Sequence, residues 1–261
     1  MTQRDETAGE RERRLGRWSG IGALGVVLLT FIAILVAASG STVDRTPKSS
    51  PSRIEQLVDL HHGAHQQEIS VFVRGLAMLL LIGVSLYLWD VVRRRDRTLP
   101  RWIWWAGIIV PPLVAIATAA GFYVLRDIAS SFVASGPRTL TRANHLIESS
   151  DSLRFVRIGE ITTNAALGAW TAGIAYYAMR VGLLTRFLGI WGVGGGVIIA
   201  ILGPSGEPFF LGWVASIGLL ALGYWPGEGR PPAWEEGRAI PWTQLGQRPV
   251  PPRPADPRDE E

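Results

Sequence analysis

Few residues in this chain could do chemistry, and they lie at the edges of its apolar runs. His61 and His65 stand four apart, with His62 between them and Glu68 further along the same stretch. On a helix this spacing puts two imidazoles and a carboxylate on one face. A ligand from another loop, such as His145, would complete a tetrahedral zinc site. HHGAH is not the HExxH of a metalloprotease, because no Glu follows His61 to serve as the base. The plainer reading is a polar interfacial helix whose histidines meet headgroups and water. On that reading no side chain ligates a metal and no cofactor is expected.

Arg74 and Glu160 are the ionisable residues closest to the apolar interior. A charge inside a span is costly enough that it marks function by default, and its partner has to be named. These two would pair if the runs that carry them are neighbours. Otherwise Arg74 snorkels to the outer interface and Glu160 turns to Arg157 or the headgroups. Paired carboxylates at depth, as an intramembrane aspartyl protease needs, are absent from the sequence. Pro111-Pro112, Thr162-Thr163-Asn164 and Gly194–Gly196 are the places where a transporter could break a helix or offer polar groups near the midplane. The alternative for the Thr and Asn residues is hydrogen bonding between helices. WGVGGG lacks the GxGxxG spacing of a dinucleotide loop, since Val197 stands where the last Gly should be. Gly192 and Gly196 form GxxxG instead, and Gly189 extends the same small face. Such a face lets two helix backbones approach closely, within the chain or in a homo-oligomer.

The elements that must position these groups are apolar runs of membrane-spanning length. A bilayer core of about 30 Å needs roughly 20 apolar residues at about 1.5 Å each. Six runs are expected as spans: 21–38, 71–89, 103–125, 155–179, 187–202 and 209–225. The fold class is therefore all-α, a polytopic bundle of six transmembrane helices. The first run could be mistaken for a signal peptide, since Ala37-Ala38-Ser39 suits cleavage. It exceeds the roughly 7–15 residues of an h-region, so a retained span is expected.

The chain carries 26 basic residues, all Arg but Lys48, against 22 acidic ones, with a pI near 9.9. The arginines flank the apolar runs, where the positive-inside rule places them, so the lipid bilayer is the expected partner and nucleic acid is not. With no cysteine, disulfides, thiolate metal sites and cysteine nucleophiles are excluded.

Around the membrane domain of residues 18–225, residues 1–17 are a polar N-terminal segment and 226–261 a tail with nine of the 17 prolines. Its end is expected to be disordered, with Trp234 and Trp242 pinning its first part to the membrane face. Overlapping PxxP spacings at Pro249/Pro252 and Pro251/Pro254 would suit polyproline recognition, but such tails commonly have no partner. Two long connections, 39–70 and 126–157, separate the first spans. The former turns helical after Ser50 or Ser52 and is expected to run into the second span, with Gly63 and Gly75 as weak points. The latter carries a short amphipathic helix over 141–149, and Ser150 or Asp151 caps the next span. Arg93, Arg94, Arg95, Arg97 and Arg101 crowd one short connection and Arg180 and Arg186 another. Both are assigned to the cytoplasm, together with both termini.

Ala178–Gly192 (AMRVGLLTRFLGIWG), Leu202–Pro204 (LGP) and Leu222–Trp242 (LGYWPGEGRPPAWEEGRAIPW) resemble a group of actinobacterial multi-pass membrane proteins of unknown function. The resemblance extends loosely over most of the chain. It implies about six spans in a bacterial plasma membrane and supplies no catalytic or binding residue. The expected function is a non-enzymatic membrane module or accessory protein. The alternatives are a small-molecule or ion transporter, and a loop-sited metal-dependent enzyme using His61, His65 and His145.

Overall fold

The computed structural model describes residues 3–40, 52–224 and 231–240, and these are helical apart from turns and short connections. The helices are α1 (Gln3–Ser39), α2 (Arg53–His62), α3 (Ala64–Arg95), α4 (Arg101–Ala134), α5 (Leu140–Glu148), α6 (Asp151–Arg180), α7 (Arg186–Leu202), α8 (Glu207–Leu222) and α9 (Pro232–Glu236). A 3₁₀ turn, Gly203–Gly206, joins α7 to α8. Trp242 and the proline pairs of the tail lie outside the described residues.

Local chemistry sets most boundaries. Ser52 opens α2 with a capping box: its hydroxyl accepts from Glu55 N (3.3 Å), and its own N–H donates to Glu55 Oε2 (2.8 Å). Ser150 caps α6 through Leu153 N, and Thr185 caps α7 through Leu188 N, each at 3.2 Å. The expected continuous helix from Arg53 into the second span does not form. It breaks at Gly63, where a Cβ would sit 2.6 Å from the Gly40 carbonyl oxygen at the end of α1. Gly75 lies inside α3 with open space beside it and interrupts nothing. The connections are also shorter than the polarity pattern implies: α4 runs on to Ala134, and α6 begins at Asp151. At the N-terminus α1 starts at Gln3, so the polar segment is an extension of the first apolar helix.

Among the described residues four stretches are long and apolar enough to cross a membrane, not six: Arg14–Ser39, Ala64–Arg95, Arg101–Ala134 and Arg186–Leu222. The last contains two of the expected spans, since α7, the 3₁₀ turn and α8 follow without a gap. Their individual lengths, 17 and 16 residues, are marginal for a bilayer. The expected span in α6 drops out because Thr162, Thr163, Asn164, Tyr176 and Tyr177 dilute its apolar character.

Neighbour follows neighbour around a closed ring of α1, α3, α4, α6, α7 and α8, with α8 returning to α1. Adjacent members run antiparallel. Gly20 of α1 lies against Leu222 at the end of α8, and Gln67 near the start of α3 donates to Ala37 O near the end of α1 (3.4 Å). Phe31, Phe72, Ile116, Ile161 and Ile190 point outward, each more than half exposed, while Trp170, Trp213, Phe210 and Leu188 fill the interior. Apolar residues on both the inside and the outside are what a bundle in lipid requires. α8 is apolar nearly all round, and its Trp213 indole donates to Leu188 O (3.1 Å).

At one end α2, α5 and the end of α4 form a separate cap around Leu57, Ile128, Ala129, Phe132 and Ala143. Arg53 fastens it by donating to Asn144 Oδ1 (2.8 Å). At the other end residues 231–240 fold back onto the bundle. Trp234 donates to Leu183 O (2.8 Å), Arg95 Nη2 to Ala233 O (3.0 Å) and Ile240 N to Val181 O (3.2 Å). Trp234 therefore grips the α6–α7 turn and stacks on Tyr87; its indole meets protein.

Candidate functional site

The site arises from a step in the ring. At about 1.5 Å per residue, α7 and α8 reach roughly 25 Å, whereas α3, α4 and α6, at 32, 34 and 30 residues, reach roughly 45–50 Å. The Gly203–Gly206 turn thus stops short of the capped end. Gly203 has φ +56, a conformation that suits glycine, and lets the chain reverse beside Asn164. Above the turn the taller helices enclose a cavity of about 200 Å³.

Arg74, Thr118, Glu160, Thr163, Asn164 and Glu207 supply its polar lining, and Val114, Leu167, Ile199 and Phe210 are among its apolar walls. Arg74 reaches across the ring and forms an ion pair with Glu207, their side chains 30% and 18% exposed. Glu207 is the first residue of α8, where the helix dipole favours an anion. Glu160 projects from α6 towards α4. A Cβ on Gly121 would lie 2.6 Å from its Oε1, so this glycine makes room for the carboxylate. Thr163 donates to the Glu160 carbonyl oxygen (3.2 Å) and keeps its hydroxyl oxygen as an acceptor.

A second lobe of about 420 Å³ lies under the cap, bordered by Ala37, Leu60, Gln67, Ser70 and Phe122. It shares Val71, Arg74 and Thr118 with the first, so Arg74 stands between the two. Below Phe210 the interior is closed by the packed core around Trp213, Leu188 and Trp170.

One expectation about charge is revised. Arg74 pairs with Glu207 and not with Glu160, although both carboxylates line one cavity. Glu207 itself was not singled out by its sequence context, although it is the one acidic residue between Met179 and Tyr224. An acid isolated in a short turn between two apolar runs is the signal that could have found it.

No three of the histidines are brought together. His61 and His62 end α2, with ring centroids 5.7 Å apart, while His65 begins α3 beyond the Gly63 break and His145 sits on α5. Among the described residues there is no group of three side chains that could hold a metal ion. Glu68 serves another purpose: it accepts from Tyr123 Oη (3.2 Å) and Arg126 Nη1 (3.3 Å). His65 and Glu68 mark the polar end of an outward-facing groove of about 790 Å³ between α3 and α4, walled by Phe72, Leu76, Pro112 and Ile116.

Gly189, Gly192 and Gly196 all face the chain's own residues. Met179 covers Gly189, Trp213 and Ala175 cover Gly192, and the Gly168 carbonyl and Ala172 cover Gly196. Pro111 and Pro112 stay inside α4, with Pro111 buried. No family model, curated protein or solved structure matches the chain.

Proposed function

We propose that this chain is a non-enzymatic, six-span protein of a bacterial plasma membrane, with both termini cytoplasmic, that binds a small polar solute in the Arg74 cavity from the outer side. The observation that carries this reading is the placement of Arg74, Glu160, Glu207 and Asn164 around one cavity amid apolar helices. Such groups are costly at this depth unless they serve each other or a ligand. The closed ring supports six crossings, because α6, α7 and α8 run alongside α1, α3 and α4. The arginines at 93–97, 180 and 186 support the cytoplasmic assignment of the end opposite the cap. The packed core beneath Phe210 fits a binding state open to one side only. Transport would add a second state in which that core parts.

The chain lacks cysteine, so single cysteines can be placed at will. In intact cells an impermeant maleimide should label Asn164→Cys and Ser149→Cys, and should label Arg97→Cys only after permeabilisation. Protection of Asn164→Cys from outside would remove the reading of a solute-accessible cavity. Labelling of Arg97→Cys in intact cells would invert the topology.

A further inference from the structure

We infer that the ligand of this cavity is a small organic cation, an ammonium group on a short apolar chain, held by the Glu160 carboxylate. The inference rests on the solute-binding reading and specifies its chemistry. Three charged side chains line the cavity, and their formal sum is one negative charge, +1 from Arg74 and −1 each from Glu160 and Glu207. The Arg74 charge is already committed, since its guanidinium is bound to Glu207. Glu160 has no ion pair of its own among the described residues. Arg157, one turn earlier on the exposed side of α6, forms no ion pair with it. The cavity therefore offers one carboxyl group without an ion-pair partner among the described residues, beside acceptor oxygens of Thr163 and Asn164.

The walls define the rest of the ligand. An ammonium has three donors and no acceptor, which matches one carboxylate plus neutral oxygens. Val114, Leu167, Ile199 and Phe210 are among the apolar walls and offer surface suited to a hydrocarbon tail. A cavity of about 200 Å³ suits a small ligand with a short hydrocarbon chain. An anionic ligand would have to take Arg74 from Glu207, leaving two carboxylates unpaired in one cavity. A neutral alcohol would leave the Glu160 charge without a partner.

The test uses the full chain purified in non-ionic detergent, with thermal unfolding followed in butylammonium, butyrate or butanol at equal concentration and ionic strength. Butylammonium should raise the unfolding midpoint with saturation, and butyrate and butanol should not. Glu160→Gln should weaken the ammonium effect at least tenfold. Asn164→Ala, which leaves the carboxylate in place, should weaken it less. The comparison among the three ligands needs no variant, so it stands even if Glu160→Gln fails to fold. Saturable stabilisation by butyrate or butanol in place of butylammonium would overturn the cationic assignment and leave solute binding intact. An equal ammonium effect in wild type and Glu160→Gln would overturn the role of Glu160. Protection by none of the three, together with a labelled Asn164→Cys, would overturn the cation alone. Protection by none, with Asn164→Cys inaccessible, would overturn both readings.

Discussion

Gly168 on α6 and Gly196 on α7 face each other backbone to backbone. A Cβ on Gly196 would lie 2.5 Å from the Gly168 carbonyl oxygen, and a Cβ on Gly168 would overlap the Gly196 carbonyl oxygen. Because the obstacle in each case is backbone, neither substitution can be absorbed by a rotamer change. Overpacking typically costs about 1–3 kcal/mol, and this contact belongs at the upper end of that range or above it. Gly168→Ala and Gly196→Ala should each lower the thermal midpoint sharply. Gly194→Ala, where a Cβ meets nothing within 4 Å, should leave it nearly unchanged. A Gly196→Ala variant as stable as the wild type would mean that α6 and α7 are further apart than described.

The Arg74–Glu207 pair joins α3 to α8 across 133 residues of sequence. Removing one partner of a well-buried pair costs about 3–5 kcal/mol, and this one is partly exposed, so about 1–3 kcal/mol is expected. Arg74→Met should cost the most, since it leaves Glu207 and Glu160 together without a cation. Arg74→Met combined with Glu207→Leu should regain much of the loss, because the double change removes the stranded charge. A double-mutant cycle read by thermal unfolding gives the coupling. Additive single effects would show that the two residues act independently.

What could be read from the sequence follows the range of the interactions involved. The apolar runs, the caps at Ser52 and Ser150, and the close-packing glycines at 189, 192 and 196 depend on residues a turn or two apart, and periodicity exposes them. Gly63 was visible as a weak point. Its break became definite only with the end of α1 in place, because the Gly40 carbonyl occupies the space a continuous side-chain face would need. The candidate site is different in kind. It depends on the height of the α7–α8 turn relative to α3, α4 and α6, and no local pattern encodes a step between elements. Arg74 and Glu160 could be flagged as costly charges. That Arg74 would choose Glu207 required the path of the ring.

The returning segment 231–240 offers a third expectation. Trp234 donates its indole N–H to Leu183 O and stacks on Tyr87 at 6.3 Å between ring centroids, while Ala233 beside it is buried. Trp234→Phe removes the hydrogen bond and keeps the ring, at an expected cost of about 1 kcal/mol. Trp234→Ala also loses the stacking and burial, and should expose the segment to proteolysis while the helical ring stays folded. Limited proteolysis with identification of the cut sites separates the outcomes. Cleavage within 231–240 at equal rates in wild type and Trp234→Ala would mean that the segment is not held by Trp234.

The final expectation concerns acid sensitivity at the end opposite the cap. Asp96 follows α3, and the Thr98 hydroxyl (2.5 Å) and backbone N–H (2.8 Å) both donate to its Oδ1. The Thr98 side-chain bond is the largest influence, and with the Thr98 N–H, Arg180 and Arg93 it holds the carboxyl below its ordinary value of 3.8 despite the opposing effect of burial. A carboxyl depressed on folding stabilises the folded state above its unfolded value and loses that contribution as the pH falls through the folded one. Thr98→Val removes the hydroxyl donor and keeps the backbone N–H, so it should bring the Asp96 carboxyl nearer its ordinary value. Wild type should therefore exceed Thr98→Val in thermal midpoint at pH 7, and the gap should close as the pH drops below 3.8. Asp96→Asn should be less stable than wild type at pH 7 and should lose this pH dependence. A gap between wild type and Thr98→Val of equal size at pH 7 and pH 3 would show that the hydroxyl stabilises the turn without acting through the ionised carboxylate.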